Sequence, residues 1–139
     1  MTKVLFVCLN NAGRSQMSRA LFEQAAAGQH HARSAGTQPA DQINPVVVDA
    51  MRELGIDIAD RTPHRLSDDD AHWADIVVTM GCGDSCPVIP GRRYLDWNLT
   101  DPAGKSIDEV RAIRDEIATR VNTLAAELTE DTSTGARPS

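Results

Sequence analysis

The sequence is poor in cysteine and in aromatic residues, and it lacks a long hydrophobic run. Three cysteines in 139 residues are too few for a disulfide scaffold, and their number is odd. No stretch approaches the ~18 apolar residues of a membrane span. The apolar run Val4–Val7 is shorter than the ~7–15 residues of a secretory signal. We therefore expect a cytoplasmic protein with reduced thiols and no membrane partner.

Basic charge is also scarce, since the formal net charge is −6 and the isoelectric point is about 5.1. A nucleic-acid partner would normally require a basic face, so this class is not expected. Small anions are not excluded, because a nest of backbone N–H groups can bind one on an acidic protein. With 41% hydrophobic and 24% charged residues, the chain has the composition of a single globular domain.

Apolar patterns that alternate between strand and helix predict an α/β fold, a single domain with a parallel four-stranded sheet and helices on both faces. The predicted strands are Val4–Val7, His31–Ser34, Asp75–Met80 and a short one around Arg93–Trp97. The predicted helices begin at Ser15, Asn44, Ser67 and Ser106, and the last of them ends near Leu128. Residues 1–128 are expected to form the domain, and the polar tail 129–139 to be disordered. We interpret the acids after Ser67 as helix-dipole compensation on a solvated face.

The loop after the first strand carries the clearest chemical signal. Cys8 and Arg14 are five residues apart between a buried strand and a helix N-terminus. Backbone N–H groups there could wrap a tetrahedral oxyanion, with Gly13 allowing tight curvature. The Arg14 guanidinium, the helix dipole and the Ser15 hydroxyl would stabilise a Cys8 thiolate. The alternative is a buried structural cysteine near a surface arginine. The predicted oxyanion-binding residues are Leu9, Asn10, Asn11, Ala12, Gly13 and Arg14.

Two more cysteines and one aspartate follow later strands. Carboxyl ends of parallel strands share one edge of a sheet, so Cys82 and Cys86 are expected on the same edge as Cys8. Structural cysteines, or half a zinc site, are the alternatives for this pair, although no second Cys/His pair completes a zinc site. Asp101, before Pro102, could protonate a leaving oxygen or simply begin a turn.

The run from Cys8 to Met17 resembles the low-molecular-weight tyrosine phosphatase superfamily and, within it, the thioredoxin-coupled arsenate reductases. The resemblance covers Lys3 to about Leu128, including the Cys82/Cys86 loop and Asp101. It implies that Cys8 attacks arsenate and that Cys82 then resolves onto Cys8. Cys86 resolves onto Cys82, and thioredoxin reduces the Cys82–Cys86 bond. Only three residues separate Cys82 from Cys86, fewer than in many members.

The resemblance also implies roles for supporting residues. Asp101 would be the general acid, while Asn11 and Ser34 would support the loop. Some of these reductases hold potassium with an acidic residue on the first helix, and Arg19 stands at that position here. We therefore expect no metal and no cofactor, and we expect a monomer.

Three alternatives stay open from the sequence. The first is a tyrosine phosphatase that uses Cys8, Arg14 and Asp101. Such phosphatases commonly place tyrosines after their Asp-Pro, whereas Ala103-Gly104 stands here. The second is an arsenate reductase served by a low-molecular-weight thiol. The third is a non-catalytic thiol sensor, which would need no general acid.

Overall fold

The computed structural model describes residues 2–81 and 93–133, the last four of them by their backbone alone. Within these residues, four parallel strands form one sheet in the order β2-β1-β3-β4. The strands are β1 (Lys3–Cys8), β2 (His31–Gly36), β3 (Ile76–Met80) and β4 (Arg93–Asp96). The helices are α1 (Arg14–Ala26), α2 (Pro45–Arg52), α3 (Asp68–Trp73) and α4 (Ile107–Ser133). The parallel four-stranded sheet is as predicted.

The central strand β1 is buried on both faces, which explains its unbroken apolar sequence. Val4, Phe6 and Cys8 face one core, to which α1, α2 and α4 contribute. Leu5 and Val7 face a smaller core beneath α3. Helices therefore cover both faces of the sheet, as the sequence predicts. In the part of the chain that the structure describes, no helix is long and apolar enough to span a membrane.

Local capping explains where the predicted helices begin. The Asn44 side chain accepts a hydrogen bond from Val46 N, and Pro45 takes the first helical position of α2. Ser67 and Asp70 form a reciprocal capping box at the start of α3. These short-range signals are confirmed.

The last helix is longer than the sequence analysis placed it. It continues through Ser133, five residues beyond the predicted end at Leu128. The reason is that no helix breaker occurs until Gly135. The tail prediction for residues 134–139 falls outside the described residues.

The topology brings the carboxyl ends of β1 and β3 side by side. Cys8, the last residue of β1, is the strand partner of Met80, the last residue of β3. Gly81 then follows with a φ of 75°. Cys82 and Cys86 lie outside the described residues.

Candidate active site

The loop from Leu9 to Gly13 is held from outside by the segment that follows β2. Each bond joins a backbone carbonyl of the β1 end or loop to a backbone N–H of this segment. The N–H groups donate at 2.8–3.2 Å. Thr37 donates to Cys8 O, Gln38 to Leu9 O, Ala40 to Asn10 O and Asn44 to Ala12 O. Four outward contacts therefore fix the curvature of the loop.

This arrangement turns the intervening N–H groups inward. In a trans peptide the N–H of the next residue points opposite to the carbonyl. Carbonyls of Cys8, Leu9 and Asn10 point outward, so the N–H groups of Leu9, Asn10 and Asn11 point toward the centre of the loop. The Asn11 N–H indeed contacts the sulfur of Cys8 at 3.2 Å. The loop thus has the form of an anion cradle, with its curvature set by contacts within the chain.

Helix α1 adds its own N-terminus to the cradle. Its N-cap is Gly13, and no side chain caps the helix. The first N–H groups of the helix are therefore left for a ligand, as the helix dipole favours for an anion. The helix begins at Arg14, one residue before the start predicted at Ser15.

Cys8 lies buried at the floor of this cradle. Its sulfur is 2.9 Å from Ser15 Oγ and 3.2 Å from the Asn11 N–H. Hydrogen bonds to a thiolate, together with the helix N-terminus, stabilise the charged and nucleophilic form. The structure thus brings together the cysteine and the serine that the sequence analysis selected.

Asn11 is the most connected residue of the loop. It is fully buried and adopts a φ of 50°, which asparagine tolerates better than most residues. Its Nδ2 donates to Ser15 Oγ at 2.6 Å. Its Oδ1 accepts from Gln16 Nε2 at 3.0 Å and from the backbone N–H of His64 at 2.8 Å. Asn11 therefore supports the loop, and Gln16 and the backbone of His64 take part in a way that the sequence analysis did not anticipate.

Arg14 faces the open side of the loop beside Asp101. Its Nη2 lies 3.6 Å from the Asp101 carboxylate, and its Nη1 donates to Leu99 O at 3.3 Å. The arginine side chain is 7% exposed and that of Asp101 is 47% exposed. A side-chain carbon on Gly81 would collide with the Arg14 guanidinium, so the chain at the end of β3 approaches the arginine directly.

Two glycines let neighbouring chain segments reach the loop. A Cβ on Gly13 would collide with the ring of Pro102, which holds the Asp101 segment against the loop. A Cβ on Gly36 would lie 2.8 Å from Leu9 O and 2.9 Å from Asn11 N. The sequence analysis did not anticipate this close approach. A small cavity remains between the loop and the Asp101 segment, lined by Cys8, Asn10, Ala12, Gly13, Arg14, Asn44, Asp101, Pro102 and Ala103.

A second cavity lies on the other side of the loop. Ser34 is buried on β2 and lines this cavity together with Gln16, Arg19 and His64. Among the described residues, no hydrogen bond joins Ser34 to the loop, so its supporting role stays a prediction. Arg19 lies 3.6 Å from Glu23 on the same helix.

The acidic run at α3 is only partly the solvated face that the sequence suggested. Asp70 is buried, and it accepts hydrogen bonds from the His64 ring at 2.7 Å and from Arg33 at 3.2 Å. Burial alone would raise the pKa of Asp70, but the hydrogen bonds from His64 and Ser67 outweigh it and lower that pKa. Asp70 therefore holds the segment that supplies the His64 N–H to Asn11. Its contacts with distant residues bury it, although its neighbours in the acidic run are exposed.

Comparison with curated proteins gives relatives that are named as arsenate reductases. A Halobacterium salinarum protein, whose name as an arsenate reductase is provisional, is 42% identical over 94% of this chain and 95% of its own length. The glutaredoxin arsenate reductase of Synechocystis is 33% identical over 92% of this chain and 99% of its own length.

Solved structures include both reductases and phosphatases. The Corynebacterium glutamicum thioredoxin-dependent arsenate reductase is 40% identical, with a TM-score of 0.80 over 94% of this chain and 63% of its own. An arginine phosphatase from Geobacillus stearothermophilus is 25% identical, with a TM-score of 0.83 over 100% of this chain and 99% of its own. The model for the low molecular weight phosphotyrosine protein phosphatase family matches residues 3–134. This chain therefore belongs to the low molecular weight phosphotyrosine protein phosphatase family.

Proposed function

We propose that this protein reduces arsenate to arsenite, with Cys8 as the nucleophile and a thioredoxin as the final reductant. The observation that carries the proposal is the inward-turned loop around the Cys8 sulfur, with Arg14 at its open side. Support for arsenate comes from relatives named as arsenate reductases, one of them thioredoxin-dependent. We also propose a cytoplasmic location, because the free thiols that this chemistry needs stay reduced there.

The first step is displacement at arsenic. The Cys8 thiolate attacks arsenic, a sulfur–arsenic bond forms, and one arsenic–oxygen bond breaks. The Asp101 carboxyl group is the candidate proton donor to that oxygen, which then leaves as water. Inward N–H groups and the Arg14 guanidinium hold the remaining oxygens and the charge on them.

Reduction requires a second thiol. We assign this role to Cys82, whose thiolate attacks the Cys8 sulfur and forms a disulfide. The electron pair of the sulfur–arsenic bond passes to arsenic, which leaves as arsenite. Cys86 then attacks Cys82 and frees Cys8. A thioredoxin dithiol reduces the resulting Cys82–Cys86 bond, so that two electrons enter for each arsenite released.

The end of β3 supports Cys82 in this role. Met80 is the strand partner of Cys8, and Gly81 lies against the Arg14 guanidinium. Chain connectivity alone keeps the Cα of Cys82 within two steps of about 3.8 Å from that of Met80. The described chain therefore reaches the nucleophile at Gly81, which supports the choice of the cysteine that follows it as the resolving thiol.

The test is arsenate-dependent consumption of NADPH with thioredoxin and thioredoxin reductase. Wild type is expected to turn over steadily, and Cys82→Ser to show none. Cys86→Ser is expected to release about one arsenite per chain and then stop with a Cys8–Cys82 disulfide, which peptide mass spectrometry identifies. Steady turnover of Cys86→Ser with thioredoxin would contradict the relay.

Two other outcomes would identify different functions. Reduction with glutaredoxin and glutathione, but not with thioredoxin, would keep the Cys8 chemistry and replace the donor, as the name of the Synechocystis relative suggests. Hydrolysis of an aryl phosphate without any arsenate reduction would favour a phosphatase. The arginine phosphatase neighbour supports this second candidate, since it shares the whole fold.

A further inference from the structure

The orientation of the Asn11 amide is unambiguous. The backbone N–H of His64 can only donate, so the Asn11 atom 2.8 Å away from it must be the carbonyl oxygen. The amide nitrogen of Asn11 must then face Ser15, whose Oγ lies at 2.6 Å. A single backbone donor from a distant segment thus sets the direction of this hydrogen-bond chain.

That direction determines where the Ser15 proton points. A serine hydroxyl has one proton to donate. Its oxygen already accepts a hydrogen bond from Asn11, so its own proton is free for the Cys8 sulfur at 2.9 Å. Ser15 is therefore available as the donor toward a Cys8 thiolate, which has no proton of its own to give.

Gln16 is the second group that fixes Asn11. Its side chain is 2% exposed, and its Nε2 donates to Asn11 Oδ1 at 3.0 Å. The other atom of the same amide, Oε1, is buried and finds no hydrogen-bond partner among the described residues. A buried carbonyl oxygen without a partner opposes folding, so an apolar side chain of similar size would suit stability better. The hydrogen bond from Nε2 to Asn11 therefore explains why a polar amide stands at this buried position.

We propose that Gln16 is a positioning residue for the nucleophile. It locks the Asn11 amide together with the His64 N–H and thereby commits the Ser15 proton to the Cys8 sulfur. The proposal rests on the proposed function only in taking Cys8 as the nucleophile. It applies equally if the bound oxyanion is arsenate or a phosphate ester.

The test compares Gln16→Met with Gln24→Met in the full-length reduced protein. Both residues lie on α1, but Gln24 is exposed, so it is a matched control. Alkylation by iodoacetamide is followed at the Cys8 peptide by mass spectrometry across a pH series. Below the midpoint of the pH profile, Gln16→Met is expected to slow Cys8 alkylation about three- to tenfold, as the loss of one hydrogen bond implies. Gln24→Met is expected to match wild type.

Thermal melting separates positioning from simple loss of structure. Gln16→Met is expected to melt close to the wild-type temperature, because the unpartnered Oε1 and the Nε2 hydrogen bond to Asn11 are removed together. An unchanged alkylation profile in a folded Gln16→Met variant would overturn the proposal. If Gln16→Met does not fold, Gln16→Leu takes its place, since its side chain is neutral and cannot donate to Asn11. Alkylation uses neither arsenate nor thioredoxin, so failure of arsenate reduction in wild type would leave this test intact.

Discussion

The two sides of the Cys8 loop differ in how firmly they are held. On the front side, Arg14 reaches Asp101 at 3.6 Å and Leu99 O at 3.3 Å, and the Asp101 side chain is half exposed. On the back side, Asn11 is fully buried, and its side chain makes three hydrogen bonds of 2.6–3.0 Å. The front side has long contacts that an oxyanion can replace. The back side is complete before any substrate arrives.

This difference indicates a division of labour. Catalysis by electrostatic stabilisation requires donors that are in place before charge develops. The back side and the outer segment 37–44 supply that rigidity through hydrogen bonds to the loop. The front side supplies the groups that must bind the oxyanion, protonate its leaving oxygen and release the product. Substitutions on the front are therefore expected to affect the chemical step, and those on the back to affect the nucleophile and the stability of the loop.

The largest effect should come from Asp101→Asn on the front side. An amide cannot give up a proton to the leaving oxygen, so the chemical step is expected to slow by roughly 10²–10⁴-fold. Single-turnover arsenite release measures it, with Cys8 alkylation as a control that should barely change. An unchanged release rate would return Asp101 to the role of a turn residue.

Arg14→Lys should give the second largest loss in rate. Lysine retains the positive charge but loses the planar fork that binds two oxygens, and a lost oxyanion donor costs roughly 10²–10³-fold. The effect should appear in arsenate reduction and in aryl phosphate hydrolysis alike. If Arg14→Lys kept wild-type rates in both assays, a positive charge alone would be sufficient to bind the oxyanion on the front side.

Gly36→Ala tests the back side. Its Cβ would press on Leu9 O and on the backbone of Asn11, which are not free to move away. Such overpacking is expected to lower the free energy of unfolding by about 1–3 kcal/mol. Urea denaturation measures this loss. Gly55→Ala serves as a control for a glycine with open space around it, although its φ of 76° adds strain of its own. A Gly36→Ala variant as stable as wild type would argue against the close approach at the loop.

The smallest effect should come from His30→Asn, at a residue that lies away from both sides of the Cys8 loop. Burial lowers the pKa of His30, and the N-terminal amino group and His31 lower it further. The native protein therefore favours neutral His30, which accepts a hydrogen bond from Thr2 N at 3.1 Å. Stability from this group is fully present above the unfolded pKa of about 6.5 and is lost as pH falls through that value toward the lower folded pKa.

The measurement is the free energy of unfolding of wild type and His30→Asn at neutral and mildly acidic pH. Wild type should lose more stability on acidification than the variant does. Equal losses would show that His30 is not a source of the pH dependence. Cys8 alkylation should be the same in both proteins, because His30 lies outside the loop network.

The features that could be predicted from sequence are local ones. The apolar run of β1, the Asn44-Pro45 helix start and the Ser67 capping box are each determined within a few residues. The Cys8 loop was recognisable because its strand–loop–helix setting is contiguous. Ser15 was selected for the same reason, whereas the supporting role of Asn11 was implied by the family resemblance.

The features that were missed depend on distant segments. His64 meets Asn11 across 53 positions of sequence, and Gly36 meets the loop through a parallel strand pair. Asp70 looked like one more solvated acid until the fold brought His64 and Arg33 to it. Tertiary contacts of this kind leave no periodicity or spacing in the sequence.

The central claim is that Cys8, set in a prebuilt cradle, reduces a bound oxyanion. The most direct measurement is a single turnover of the fully reduced chain with arsenate and no thioredoxin. The account predicts about one arsenite released and two thiols lost per chain, and neither with Cys8→Ser. No arsenite and no loss of thiols, together with brisk aryl phosphate hydrolysis by the same preparation, would contradict it.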